Sequence, residues 1–151
     1  MLKEGDQAPE IHLRTDAGEE FRLSDLRGKR VVLYFYPRAD TPGCTTEACE
    51  FRDGIRAFAE KDAAVVGVSP DKPAAQSKFK QKYGLPFTLL ADEEKAAAKA
   101  YGVWKEKNMY GKKVMGIERT TFVIGPEGRI EKIYGKVKAK GHAVEVLAGL
   151  G

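Results

Sequence analysis

Cysteine is scarce in this chain. Only Cys44 and Cys49 occur among 151 residues, which excludes a small scaffold held together by several disulfides. Histidine is equally scarce: His12 and His142 both lie far from the cysteines in sequence. That leaves too few ligands for an ordinary zinc site and no Cys/His/Asn set of the cysteine-protease kind. Each histidine reads as a surface or structural residue. Long hydrophobic runs are missing too. Val31-Val32-Leu33-Tyr34-Phe35-Tyr36 is among the longest and is far too short to span a bilayer. The opening Met1-Leu2-Lys3-Glu4-Gly5-Asp6 has no apolar signal region. A cytoplasmic protein with no membrane partner is expected. No sign of charge dominates: 26 Lys+Arg against 22 Asp+Glu leave a net +4. The densest basic pieces, Lys112-Lys113 and Lys136-Val137-Lys138-Ala139-Lys140, come without a recognition motif. They read as a solvated face, and no nucleic-acid partner is expected.

What is present is ordinary globular material, with 42% hydrophobic and 32% charged residues. The length suits one domain, 1–151, with a core that needs no staples. Residues 11–14 and 21–23 flank Asp16-Ala17-Gly18 and read as an N-terminal β-hairpin. Residues 24–28 read as a capped single turn. Buried strands are expected over 30–36 and 63–69, where β-branched and aromatic residues run together. A helix is expected over 41–60, with Phe51, Ile55 and Phe58 as its apolar stripe. Further helices fit 73–83 and 93–101, each stopped by glycine, with a short strand over 87–90 between them. A hairpin over 121–124 and 129–134 turns at Gly125-Pro126-Glu127-Gly128, and a helix over 143–150 follows. Residues 108–117 are too irregular to assign. This order implies an α/β fold with helices on both faces of a mixed sheet.

Chemistry concentrates in Thr41-Pro42-Gly43-Cys44-Thr45-Thr46-Glu47-Ala48-Cys49. Thr41 suits a helix N-cap and Pro42 the first helical position. Cys44 is then the third helical residue, among backbone N–H groups without intrahelical partners and facing the positive end of the helix dipole. Such a place favours thiolate over thiol. Gly43 leaves room for a small substrate to approach the backbone. The alternative is a buried, inert cysteine filling a gap between helix and sheet.

Cys49 lies five residues on. In an intact helix that step is about 7.5 Å along the axis and about 140° around it. If the two thiols pair, the helix must unwind around residues 45–48, because a disulfide cannot span that geometry. Otherwise Cys49 is a small core residue unrelated to Cys44. The spacing is not the C-x-x-C of disulfide exchangers.

The segment from Phe35-Tyr36-Pro37-Arg38-Ala39-Asp40 through Cys49 resembles the active-site region of peroxiredoxins, and within them the bacterioferritin comigratory protein/peroxiredoxin Q subfamily. Pro37, Thr41 and Cys44 meet the pattern Pro-x-x-x-Thr-x-x-Cys, and the five-residue step to Cys49 is the subfamily's mark. The resemblance extends to Gly5-Asp6-Gln7-Ala8-Pro9, Gly67-Val68-Ser69-Pro70-Asp71, Phe87-Thr88-Leu89-Leu90-Ala91-Asp92 and Arg119-Thr120-Thr121-Phe122-Val123-Ile124. It implies a thioredoxin-like fold and a thiol peroxidase acting on hydrogen peroxide and organic hydroperoxides, with no metal and no other cofactor. By the same resemblance, Cys44 is the peroxidatic cysteine and Cys49 the resolving one. The two form an intramolecular disulfide that thioredoxin or a glutaredoxin-like dithiol protein reduces.

Thr41 is expected to bond the peroxide, Arg119 to stabilise the thiolate and transition state, and Pro37 to shape the pocket. On its own, Arg119 would read as a salt-bridging surface residue. Glu47 is left open between pairing with Arg119 and facing solvent. No cysteine follows Cys49, so a partner subunit's tail is not expected to resolve Cys44, and a monomer is expected. A general thiol–disulfide oxidoreductase and a single-turnover redox sensor are the competing functions.

Overall fold

The computed structural model describes residues 1–151. In chain order the elements are β1 (His12–Thr15), β2 (Glu20–Arg22), a 3-10 turn (Leu23–Leu26), β3 (Arg30–Phe35), α1 (Pro42–Asp53), α2 (Ile55–Glu60), β4 (Ala63–Ser69) and α3 (Pro73–Tyr83). There follow β5 (Thr88–Ala91), α4 (Ala96–Ala100), β6 (Trp104–Met109), β7 (Lys112–Ile117), β8 (Thr120–Ile124), β9 (Ile130–Tyr134) and α5 (His142–Gly149). Seven strands form one sheet in the order β2-β1-β5-β4-β3-β8-β9. The pairs β3–β4 and β4–β5 are parallel, and the flanking pairs are antiparallel. The expected α/β architecture with a mixed sheet and an N-terminal hairpin is therefore present.

Alternation along the strands splits the core in two. Val31, Leu33 and Phe35 of β3 point to one face, with Ala97, Ala98, Tyr101 and Ile117. Val32, Tyr34 and Tyr36 point to the other, with Cys44, Ala48 and Phe51 of α1, Phe58, Phe79 and Val146. Strand β3 is covered on both faces, which is why its sequence is a continuous apolar run. Helices lie on both sides, and α1 starts directly behind the C-terminal end of β3.

Two expectations need correction, and one unassigned stretch takes a definite form. The helix expected over 41–60 is two helices, broken at Gly54, which has φ −95° and ψ 4°. Glycine is a weak helix former, and the ring of Phe58 lies 3.5 Å from where a Gly54 Cβ would stand. The helix expected over 93–101 shortens to Ala96–Ala100, because Lys95 takes a left-handed φ of 59°. Residues 108–117, left unassigned, belong to a separate two-stranded hairpin, β6–β7. Its turn is Tyr110-Gly111, both left-handed with φ 53° and 79°, as a two-residue hairpin turn requires.

Gly67 on β4 tests how closely this core is packed. A Cβ there would come within 2.9 Å of Tyr34 Cζ and 3.0 Å of Leu89 Cδ2. Both neighbours are fully buried. Gly67→Ala is expected to lower the unfolding free energy by about 1–3 kcal/mol, measured as a lower urea midpoint at unchanged slope.

Candidate active site

The end of β3 delivers Tyr36, Pro37 and the loop to Thr41. Thr41 has the extended conformation of an N-cap, φ −93° and ψ 158°, but its hydroxyl does not cap the helix. It donates instead to the Arg38 carbonyl at 2.9 Å, which leaves the oxygen lone pairs as acceptors. The first intrahelical bond runs from Thr45 N–H to the Thr41 carbonyl at 2.8 Å. The N–H groups of Gly43 and Cys44 have no protein acceptor, as expected for the first turn.

The loop itself is held from behind by a buried polar chain. The Tyr36 hydroxyl donates to Gln76 Oε1 at 2.5 Å, and Gln76 Nε2 donates to Ser69 Oγ and to the Leu90 carbonyl, each at 2.8 Å. Ser69 Oγ donates to Asp71 Oδ2 at 2.6 Å, and the same oxygen accepts the Ala39 N–H at 2.7 Å. Asp40, at a left-handed φ of 60°, is fixed by Tyr83 Oη at 2.6 Å and Lys82 Nζ at 2.9 Å. Sequence reading missed this support. The one available signal was position: Gln76 lies three residues before Phe79, on the same buried face of α3, and a buried amide needs partners.

Cys44 is 1% exposed. Its Sγ accepts a hydrogen bond from Arg119 Nη2 at 3.3 Å, and Arg119 Nη1 donates to Glu47 Oε1 at 2.6 Å. Arg119 sits between β7 and β8, and its own carbonyl accepts the Val137 N–H at 2.9 Å. Burial disfavours its charge, but Glu47 and the Cys44 sulfur outweigh that and hold its pKa above the usual arginine value. Glu47 is fully buried and its Oε2 has no partner. Burial pushes its carboxyl up to about 7, against the pull of Arg119.

The open space expected beside Gly43 is otherwise occupied: a Cβ there would lie 3.2 Å from Arg119 Nη2. The glycine makes room for the guanidinium as it crosses to sulfur.

Both cysteines are free thiols within the intact α1, Cys44 buried and Cys49 half-buried. The helix beyond Cys49 is tied down. Glu50 Oε1 accepts the Gly141 N–H at 2.8 Å, and Arg52 Nη1 donates to the Tyr83 carbonyl at 2.7 Å. Pro37 is half-buried at the start of the loop. His12 is an exposed strand residue, and His142 is buried between Thr121 Oγ1 at 2.7 Å and Glu145 Oε1 at 2.9 Å. Neither histidine contacts the cysteine site. No group of three His, Cys, Asp or Glu side chains is placed to hold a metal ion.

A model of the AhpC/TSA family matches residues 4–133. This chain belongs to the AhpC/TSA family. Among its relatives, peroxiredoxin Bcp of Bacillus subtilis is 54% identical over 146 residues, covering 97% of this chain and 93% of that one. Peroxiredoxin Bcp of Escherichia coli is 43% identical over 146 residues, covering 97% and 94%. Among solved structures, a Xylella fastidiosa PrxQ mutant with a cysteine replaced by serine superposes with a TM-score of 0.94 at 40% identity, over 99% of this chain and 96% of that one. The bacterioferritin comigratory protein of Xanthomonas campestris, described by its alkyl peroxide reduction activity, superposes with a TM-score of 0.89 at 42% identity, over 93% and 89%. The family resemblance and the thioredoxin-like fold read from the sequence are both borne out.

The site makes a prediction about pH. Glu47 is neutral in both folded and unfolded chains below its usual 4.5. Between 4.5 and about 7 the folded protein keeps a proton that the unfolded chain has released. Its contribution is therefore largest at acidic pH and is lost as pH rises through the folded value, by up to about 3 kcal/mol. Urea unfolding at about pH 5 and about pH 8 is expected to show a shallower dependence in Glu47→Gln than in the parent. An unchanged slope would show that Glu47 keeps its ordinary titration.

Proposed function

We propose that this AhpC/TSA-family enzyme is a thiol peroxidase that reduces hydrogen peroxide and organic hydroperoxides through Cys44. The observation that carries this reading is the bond from Arg119 Nη2 to Cys44 Sγ at 3.3 Å, at a helix start whose N–H groups are unpaired. It is supported by relatives that carry the name peroxiredoxin.

In the first step the Cys44 thiolate attacks the terminal peroxide oxygen. An S–O bond forms, leaving Cys44 as a sulfenic acid, and the O–O bond breaks; the departing oxygen takes a proton from solvent and leaves as water or alcohol. Negative charge grows on that oxygen, so fixed donors aimed at it lower the barrier. The Gly43 and Cys44 N–H groups and the Arg119 guanidinium are the donors in place, and the Thr41 oxygen can accept a hydrogen bond from the peroxide O–H. Pro37 walls the loop side of the pocket. In the second step the Cys49 thiol attacks the Cys44 sulfenic acid, forming the disulfide and releasing water.

That second step requires α1 to open. Residues five apart cannot be bridged within an intact helix. Glu50 and Arg52 anchor the stretch after Cys49, so the opening falls between Cys44 and Cys49. It draws Glu47 and Ala48, both fully buried, out of place and separates Glu47 from Arg119. A dithiol protein, thioredoxin or a glutaredoxin-like reductant, then reduces the disulfide by thiol exchange. We place the enzyme in the cytoplasm as a monomer of one domain, residues 1–151. No helix is long and apolar enough to cross a membrane.

Intact-mass measurement after one equivalent of hydroperoxide is expected to show the loss of two hydrogens and no added oxygen. Cys49→Ser is expected to gain one oxygen instead and to stop after a single turnover. Cys44→Ser is expected to lose peroxide consumption; near-parental turnover in that variant would refute the reading.

A further inference from the structure

Tyr83 is the last residue of α3, and it touches the active-site segment at both ends. The helix stops there because Gly84 takes a left-handed φ of 60°. The Tyr83 carbonyl is then one of the terminal acceptors that a helix leaves unpaired. Arg52 Nη1 fills it at 2.7 Å, a cation placed at the negative end of the helix dipole. On the other side, the Tyr83 hydroxyl donates to Asp40 Oδ1 at 2.6 Å, and Lys82 Nζ donates to Asp40 Oδ2 at 2.9 Å. The Tyr83 ring is set for that reach by Phe79, edge to face with 5.5 Å between centroids.

Asp40 and Arg52 enclose what the two chemical steps use on this stretch: Thr41, Gly43, Cys44 and Cys49 all lie between them. Each end needs its tie. Asp40 holds a left-handed φ of 60°, which a residue with a side chain keeps only when its surroundings fix it. Arg52 stands three residues after Cys49, on the same side of the helix. When α1 unwinds between the cysteines, a rise of about 1.5 Å per residue becomes up to about 3.3 Å. Free ends would let that extra length carry them apart. With both ends held on one residue it becomes slack, and slack lets Cys49 swing to Cys44.

We propose that Tyr83 is a positioning residue for the second step, a bracket that holds Asp40 by its hydroxyl and Arg52 by its carbonyl while the helix between them opens. It touches neither sulfur. It keeps the Cys49 thiol at high effective concentration around the Cys44 sulfenic acid, so that the S–S bond forms and the S–O bond breaks, with water leaving, before a second peroxide arrives. This rests on the thiol peroxidase reading of Cys44 and Cys49.

The test follows one equivalent of hydroperoxide by rapid quench and intact mass. It reads the gain of one oxygen and then the mass two hydrogens below the thiol form. Arg52→Met is expected to slow the disulfide step about tenfold, with oxygen gain within about twofold of the parent. Arg52→Lys, which keeps a donor for the carbonyl, is expected to recover most of that loss. Tyr83→Phe keeps the carbonyl and leaves Lys82 on Asp40, so it is expected to slow the disulfide step only about threefold. The double variant Arg52→Met/Tyr83→Phe is expected to be no slower than Arg52→Met, because a bracket open at one end no longer holds the segment. Effects that multiply to about thirtyfold, an unchanged disulfide step in Arg52→Met, or an equal loss in both steps would overturn the proposal. Diamide oxidises two neighbouring thiols to a disulfide, is itself reduced to the hydrazine, and needs no peroxide. It is expected to rank the variants in the same order. A parent that fails to consume peroxide while diamide keeps that order would refute the enzymatic reading and leave the bracket standing.

Discussion

One guanidinium organises the site. Arg119 reaches across from the sheet to a helix that precedes it by some seventy residues, and bonds Glu47 with one nitrogen and Cys44 with the other. Glycine at position 43 leaves the guanidinium its room, since a Cβ there would stand 3.2 Å from Nη2. The guanidinium also explains a carboxylate in the core. Burying Glu47 without a cation would cost several kcal/mol, and a buried arginine would be no better placed without Glu47. Together they hold a positive group against the sulfur in a setting from which water is largely excluded. There its field acts more strongly than it would at the surface. Arg119 gives one terminal nitrogen to each partner, and Glu47 Oε2 is left without one.

The same arrangement sets the conflict within α1. Its first turn must be ordered to present the Gly43 and Cys44 N–H groups, and the loop before it is ordered by the chain from Tyr36 through Gln76 and Ser69 to Asp71. Its later turns are fastened to α3 and α5 through Arg52 and Glu50. Between these anchors lies one short stretch, Thr45 to Ala48, that carries little except Glu47. A helix tied at both ends and joined in the middle by a single ion pair can open locally without unfolding the domain. On this view Glu47 links the two steps. In the proposed cycle it would hold Arg119 while the thiol reacts and release it when the helix opens.

Local chemistry was largely legible in the sequence. The Thr-Pro-Gly-Cys start, the strand before it and the five-residue step to Cys49 depend on neighbouring residues alone. Capping, the fixed φ of proline and helical pitch are short-range rules, so they could be read without a fold. The buried strands β3 and β4 were legible for the same reason, as continuous apolar runs. The hairpin β6–β7 was not. Only its base is buried, through Ile117 and partly Trp104, while Met109, Val114 and Met115 are open to solvent, so the strands leave no regular apolar period to detect. Its only local mark was Tyr110-Gly111, a weaker turn signal than Asn-Gly.

The sequence by itself thus determined where a reactive thiol could form and that its partner could not be reached without motion. Only the tertiary structure decided that Arg119 is bound to the sulfur rather than to solvent, and that Glu47 is buried against it. It alone decided that Gly43 makes way for a guanidinium, and that Gln76 supports the loop before α1. The physical reason is range. Backbone conformation is set within a few residues, whereas desolvation and charge pairing depend on which distant segments the closed sheet brings together.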